Sequence, residues 1–415
     1  MKNQDSTPSI APIASNSDPK SGSAATPGSR TVITAAMLWD GTRLRHQPIV
    51  VVEDGRIASI STRAESELPA GDRVLDYPGA TLAPAFFDVH IHGCAGHDVM
   101  EATPEAFAAI GSFLSSRGTG SFLATTVTAP VDTTLRALSG LARMLARTPG
   151  DGQARPLGIH LEGPFLSHVK RGVHPPADLL APDIALFDRF FEAAEGHVRL
   201  MTLAPELDGA AELAAHATAR GVRISLGHSN ATAGETRKAI AAGAVSATHT
   251  FNAMRPLDHR EPGILGIALT CDELFAELIC DGIHTAPEMV ELWWRAKGPG
   301  LALLVTDAMS AAGMPDGEYQ LGGFAVTVAH GRATAGGVLA GSVLTLDRAL
   351  ANFVRFTGAP VEQALRLLTT NPAAMTGLED RAGSLTVGNP ANLVAVDAQG
   401  TLITALLAGE SVTPR

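Results

Sequence analysis

The chain has 415 residues, 45% of them hydrophobic, enough to bury a large core in about one large domain plus a smaller one. Its formal net charge of −11 and the lack of any basic block argue against nucleic acid and anionic membrane surfaces as partners, and no apolar run approaches the roughly 20 residues that span a bilayer. The N-terminus lacks a secretory pattern, and Cys94, Cys271 and Cys280 lack metal-knuckle or Cys-x-x-Cys spacing, so free thiols in a cytoplasmic protein are expected.

Residues 1–30 are rich in Ser, Pro, Ala and Asn without periodicity, which predicts a disordered leader. Residues 31–83 carry short alternating segments such as "QPIVVVEDGRIASI", broken by the hairpin signal Asp-Gly. Residues 374–415, with "GSLTVGNPANLVAVDAQGTLITALLAGESV", have the same texture. The two ends are therefore expected to pair into one small β-sandwich domain.

Between them, residues 84–373 repeat one theme: an apolar run, a polar residue at its end, a loop, then an amphipathic stretch. Eight such runs are "LAPAFFDVHIHG", "GSFLATTVTA", "LGIHLEGPF", "VRLMTLAPE", "VRISLGHSN", "AVSATHTFNAM", "AELICDGIH" and "LALLVTDAMS". Stretches such as "TPEAFAAIGSFLSSRG" and "ATAGETRKAIAAG" between them read as helices. Strands alternating with helices predict an α/β fold, and eight such units predict a closed (β/α)8 TIM barrel with its chemistry at the C-terminal strand ends.

Those ends carry His90 and His92, Glu162, His228, His249, His284 and Asp307. On a strand, His90 and His92 point to one face. Any one of these residues alone is more often a structural polar group. Their recurrence at corresponding ends of six of the eight strands points instead to a divalent metal, zinc first, with iron, cobalt or manganese as alternatives. Such an ion lowers the pKa of a bound water and polarises a carbonyl, and Asp307 is placed to shuttle the proton.

The order His-x-His, "HLEGPF", "GHSNA", "THTFNAM", "DGIH" and "VTDAM" resembles the amidohydrolase superfamily and, within it, the N-acetylglucosamine-6-phosphate deacetylase family. The resemblance covers nearly the whole chain after the leader. It implies Glu162, His228 and His249 as ligands of one metal, His90 and His92 as the pair that permits a second, and Asp307 as catalytic. It implies that His174, with Val173 beside it, polarises the acetyl carbonyl. Asn252, Ala253 and His284 become phosphate contacts, as does Arg260, reaching across a homodimer. Leu339, Ala340 and Gly341 become the loop that closes over the sugar. The superfamily's carboxylated-lysine design does not fit, because Lys170 and Lys238 fall in a loop and on a helix.

The reaction implied is hydrolysis of the N-acetyl group of N-acetylglucosamine 6-phosphate. The alternatives are the galactosamine epimer, an N-acyl-amino-acid deacylase and, disfavoured by the intact ligand set, a non-enzymatic barrel. His160 reads as support for the ligands. His97 and His168 lie near the cleft in sequence without an assigned role, and His46, His197, His216, His259 and His330 read as surface or loop groups. Trp293 and Trp294 read as packing between a helix and the barrel.

Overall fold

A computed structural model describes residues 30–69 and 73–412, so the leader expected over residues 1–30 lies outside the described residues apart from Arg30. Both ends of the described chain contribute to one eight-stranded sheet. From edge to edge it runs Glu410–Val412, Leu402–Leu407, Leu393–Val396, Arg73–Pro84, Arg30–Trp39, Pro48–Glu53 and Arg56–Thr62, with Leu44–His46 also pairing on Arg30–Trp39. The join is Arg73–Pro84, parallel to Arg30–Trp39 on one side and antiparallel to Leu393–Val396 on the other. Alternation makes one face apolar, and Ile33, Leu38, Val50, Leu82, Leu393 and Leu406 form its core. Asp54 and Gly55, at φ 48° and 74°, make the turn that the Asp-Gly pair calls for.

All eight apolar runs become parallel strands of one barrel: Phe86–Ile91, Thr119–Thr126, Arg155–Glu162, Val198–Leu203, Arg223–Leu226, Ala244–Ala247, Phe275–Ile279 and Ala302–Val305. The last meets the first through a parallel bridge between Ile91 and Ala308. There the Asp307 N–H donates to His90 O at 2.8 Å and the His92 N–H donates to Ala308 O at 2.8 Å. Closure thus sets the first and eighth strand ends side by side, which is what brings His90, His92 and Asp307 together.

The intervening helices start where capping residues allow. Thr103 Oγ1 accepts from Ala106 N ahead of Pro104–Ser116, and Thr232 with Glu235 makes a capping box ahead of Ala233–Ala241. Trp293 is fully buried on Pro287–Leu301, edge-on to Phe353, and Trp294 meets the same ring. Among the described residues no helix is long and apolar enough to cross a membrane.

One element had no counterpart in the sequence reading. After the eighth strand, Gly317–Leu321, Phe324–Ala329, Arg332–Ala335 and Val338–Leu339 form a four-stranded antiparallel sheet. Its core joins Leu321, Val326, Ala333 and Ala340 to Val127 and Met309 at the barrel mouth. The signal was legible: "DG", "GG", "HG" and "GG" punctuate short alternating segments between Asp316 and Gly337.

Candidate metal centre

Glu162, at the end of the third barrel strand and 2% exposed, is the hub of the mouth. Its Oε1 lies 3.2 Å from His228 Nε2, 3.2 Å from His249 Nε2 and 3.4 Å from His90 Nε2. Its Oε2 lies 3.1 Å from His92 Nε2 and 3.6 Å from His174 Nε2. Asp307 Oδ1 completes the ring, 3.2 Å from His92 Nε2 and 3.5 Å from His90 Nε2. Two adjacent donor sets result, His90–His92–Glu162–Asp307 and Glu162–His228–His249, each with its ligand atoms within 4.8 Å of one another.

The backs of these rings show which nitrogen faces inward with a lone pair. His92 Nδ1 donates to Thr125 O at 3.0 Å and His228 Nδ1 donates to Lys170 O at 3.0 Å, because a carbonyl can only accept. His90 Nδ1 faces Glu277 Oε2 at 3.5 Å, and His90 Nε2 is buried with no hydrogen bond. Imidazoles held from behind by carbonyls and a carboxylate, with Nε2 atoms converging on a glutamate and able to offer a lone pair once deprotonated, are the donor chemistry of a divalent cation. His249 differs, since its buried Nδ1 has no partner.

Charge follows from this crowding. Burial alone would lower the affinity of His90 and His92 for protons, but Glu162 and Asp307 outweigh it, lifting His92 to about 9 and His90 well above the usual range. Against burial, His90 with His228 and His249 holds Glu162, and His90 with His92 holds Asp307, below the ordinary carboxylate range. The carboxylates therefore demand positive charge at the spot where a cation would sit. His174 behaves oppositely, pushed down to about 3 by burial first and by His228 second. Thr128 N–H donates to its Nδ1 at 3.4 Å, so the neutral ring carries its proton on Nε2, the atom facing Glu162. Gly163, at φ 91°, is required here: a Cβ would lie 2.0 Å from Thr128 Oγ1, which itself lies 2.8 Å from His174 Nδ1.

The centre opens into a cavity of about 360 Å³ lined by His92, Glu162, His174, His228, His249 and Asp307, with Val173, Asn252, Ala253, His284, Leu339 and Gly341 around them. His90 lies fully buried behind this wall. Ala340 does not reach the cavity; its side chain is buried in the core of the small sheet. Arg260 lies on an exposed loop outside this chain's cavity, its backbone N–H donating to Asp258 Oδ1. His284 Nδ1 is fixed by Asp281 Oδ2 at 2.6 Å.

Residues 81–412 match the amidohydrolase family. The chain belongs to that family. This amidohydrolase is 39% identical over 348 residues to an N-acetylgalactosamine-6-phosphate deacetylase of Escherichia coli O157:H7, covering 83% of this chain and 89% of that one. It is 37% identical to an N-acetylglucosamine-6-phosphate deacetylase of Bacillus subtilis, covering 87% and 91%. Among solved structures, an N-acetyl-D-glucosamine-6-phosphate deacetylase mutant from Mycobacterium smegmatis, in complex with N-acetyl-D-glucosamine-6-phosphate, superposes with a TM-score of 0.85 at 36% identity, covering 93% and 100%.

Two carboxylates of the supporting layer of this amidohydrolase were not found from sequence. Glu277, fully buried on the seventh strand, accepts from Ser225 Oγ at 3.0 Å and Ser246 Oγ at 3.3 Å beneath His90. Asp88 accepts from Thr306 Oγ1 at 2.6 Å, and burial pushes its carboxyl up to about 6. A charged residue inside an apolar run, as in "FFDVHI" and "FAELI", was the available signal. His160 fills its supporting role through Thr202 Oγ1 at 2.8 Å and its ring edge on His90. Lys170, in the short turn His168–Lys170 of the loop expected for it, lines the cavity.

Proposed function

We propose that this amidohydrolase hydrolyses the N-acetyl group of N-acetylglucosamine 6-phosphate, releasing acetate and glucosamine 6-phosphate. The observation that carries the reading is a Glu162-centred donor set opening into a cavity beside a neutral His174 and an ionised Asp307. Relatives of 37–39% identity with deacetylase activity on N-acetylhexosamine phosphates support it. A divalent ion held by Glu162, His228 and His249, with a second position at His90 and His92, supplies Lewis-acid polarisation of the acetyl carbonyl and acidifies a water; zinc is the ion we assign.

The chain's own residues supply the rest. Asp307, held ionised, accepts the proton of the attacking water and passes it to the leaving amine nitrogen. His174, kept neutral by its low proton affinity, donates a hydrogen bond from its Nε2–H to the acetyl oxygen as negative charge develops there and keeps its proton. Asn252, the Ala253 backbone and His284 face the phosphate. Leu339 and Gly341, at the edge of the small sheet, close over the sugar.

In a homodimer Arg260, on its exposed loop, would reach the neighbouring phosphate, where a guanidinium binds two oxygens at once. The three free cysteines suit the reducing cytoplasm. The test is acetate release from N-acetylglucosamine 6-phosphate, its galactosamine epimer and the unphosphorylated sugar, with metal content measured on the same sample. Fastest turnover of the glucosamine phosphate supports the reading. Equal rates with and without the phosphate would overturn it, and a preference for the galactosamine phosphate would reassign the substrate. Arg260→Ala is expected to raise KM about tenfold with little change in kcat, the loss of one charge-assisted contact.

A further inference from the structure

The opposite end of the barrel carries a second concentration of charge. Parallel strands put their N-terminal ends together, and three of them begin with arginine or carry it at the second position: Arg155, Arg199 and Arg223. Arg381, after the helix Thr370–Thr376, joins them. Arg199, Arg223 and Arg381 line a cavity of about 530 Å³ together with Val222 and Leu378, and Asp380 is its one acidic lining residue.

The local backbone makes room for these guanidiniums. Ile159 pairs with Val198 but His160 pairs with Leu200, so Arg199 is the extra residue of a β-bulge. Its stem lies on Gly158, where a Cβ would come within 2.3 Å of Arg199 Cγ. Gly377, at φ 70°, likewise leaves room for Arg223, whose terminal nitrogen would be 3.0 Å from a Cβ there.

Among the described residues, none of these four arginines forms an ion pair, and Arg199 Nε is buried with no hydrogen-bond partner. Arg381 reaches only Leu157 O, at 3.5 Å. Burial first, then the positive charges of Arg155 and Arg199, hold Arg381 below the ordinary arginine range against the opposing Asp380. Some arginines elsewhere are paired, as Arg45 is with Asp40 and Arg220 with Asp188. Arg199 and Arg223 are half-buried and Arg155 and Arg381 exposed, so water screens part of their mutual repulsion; an anion among them would relieve the rest and satisfy the buried Arg199 Nε.

We propose that this cavity at the foot of the barrel binds a small phosphorylated anion, distinct from the substrate at the mouth. Guanidiniums presenting forked donors match the tetrahedral oxygens of a phosphate or phosphate monoester. The third strand starts at Arg155 beside this cavity and ends at Glu162, so a ligand here would brace the strand that holds the hub of the metal centre.

Calorimetric titration of the metal-loaded full chain with inorganic phosphate and with glycerol 3-phosphate, at constant ionic strength set with chloride, tests this. Beside any phosphate bound at the mouth, wild type is expected to show a second phosphate-binding event that the Arg199→Gln/Arg223→Gln double variant weakens more than tenfold, while the mouth event and turnover stay unchanged because these residues are remote from the mouth. Asp380→Asn, which removes the opposing charge and no cation, is expected to tighten the second event several-fold and serves even if the double variant folds poorly. Binding of both probes assigns a bare phosphate recognition site; binding of the ester alone assigns an organic monoester. Isotherms that coincide for wild type and the double variant, or no response to Asp380→Asn, would overturn the proposal.

Discussion

At the barrel mouth, His228, His249 and Asp307 all sit on left-handed backbone, at φ 46°, 26° and 49°. Among the described non-glycine residues of the sheet built from the chain ends, such backbone occurs only in turns, at Gln47, Asp54 and Ala408. The mouth also buries what burial disfavours: His90 and Glu277 at 0% and Glu162 at 2% exposure. The terminal sheet buries Ile33, Val50, Leu82 and Leu393, which prefer to be buried. One region adopts what its residues favour locally, while the other is held in strained, desolvated geometry by the scaffold around it. Such strain persists only where the surroundings over-determine it, and it belongs to sites that must be pre-organised.

Substitutions can break that contrast from either side. Glu162→Gln should have the largest effect, because one carboxylate serves both donor sets. Loss of bound metal and a fall in kcat/KM of about 10³-fold or more are expected, since the ion supplies both polarisation and an acidified water. Elemental analysis with steady-state kinetics checks both, and a variant that keeps metal and activity would remove Glu162 from the centre. Asp307→Asn should lower kcat by about 10²–10⁴-fold, the usual contribution of a positioned acid–base group, with KM near wild type. Metal at Glu162, His228 and His249 should remain.

Leu393→Ala inverts the pattern. It should cost about 2–5 kcal/mol of stability through a buried cavity, read as a lowered Tm, while the folded fraction turns over at the wild-type rate. A selective loss of turnover would mean that the sheet and the mouth are coupled more tightly than their chemistry suggests.

The smallest effect concerns pH, and it sharpens the same point. In protein stripped of metal, His92 has its folded pKa raised to about 9, so its stabilisation is full below its unfolded value of about 6.5 and is lost as pH rises through about 9. Glu162 and Asp307, with depressed folded pKa values, contribute above about pH 4 and lose that contribution on acidification. Stripped protein should therefore lose Tm steadily from about pH 6.5 to 9, whereas metal-loaded protein should not, because the ion replaces the protons. A flat profile for the stripped form would show that the histidines are not held protonated by their carboxylates.

Much of this was readable along the chain. The eight apolar runs became the eight barrel strands, and the Asp-Gly between Glu53 and Arg56 became the turn it predicts. The small sheet over the mouth was missed because its strands are short and half exposed, so their periodicity is weak beside that of the barrel. Glu277 and Asp88 were missed for another reason. A single carboxylate in an apolar run acquires meaning only from what lies across the barrel from it, and Ser225, Ser246 and Thr306 come from other strands.

By itself, then, the sequence determined the repeating strand–helix texture and the residue types at the strand ends, because both depend on contacts within a few residues. Tertiary structure alone decided that Ala340 turns into a core while Leu339 and Gly341 face the cavity, and that His174 stays neutral while His92 charges. It also decided that four arginines gather at the far end of the barrel. These outcomes depend on closure of the barrel, which sets distant segments within a few ångströms, and electrostatic and packing energies at that range outweigh any local preference.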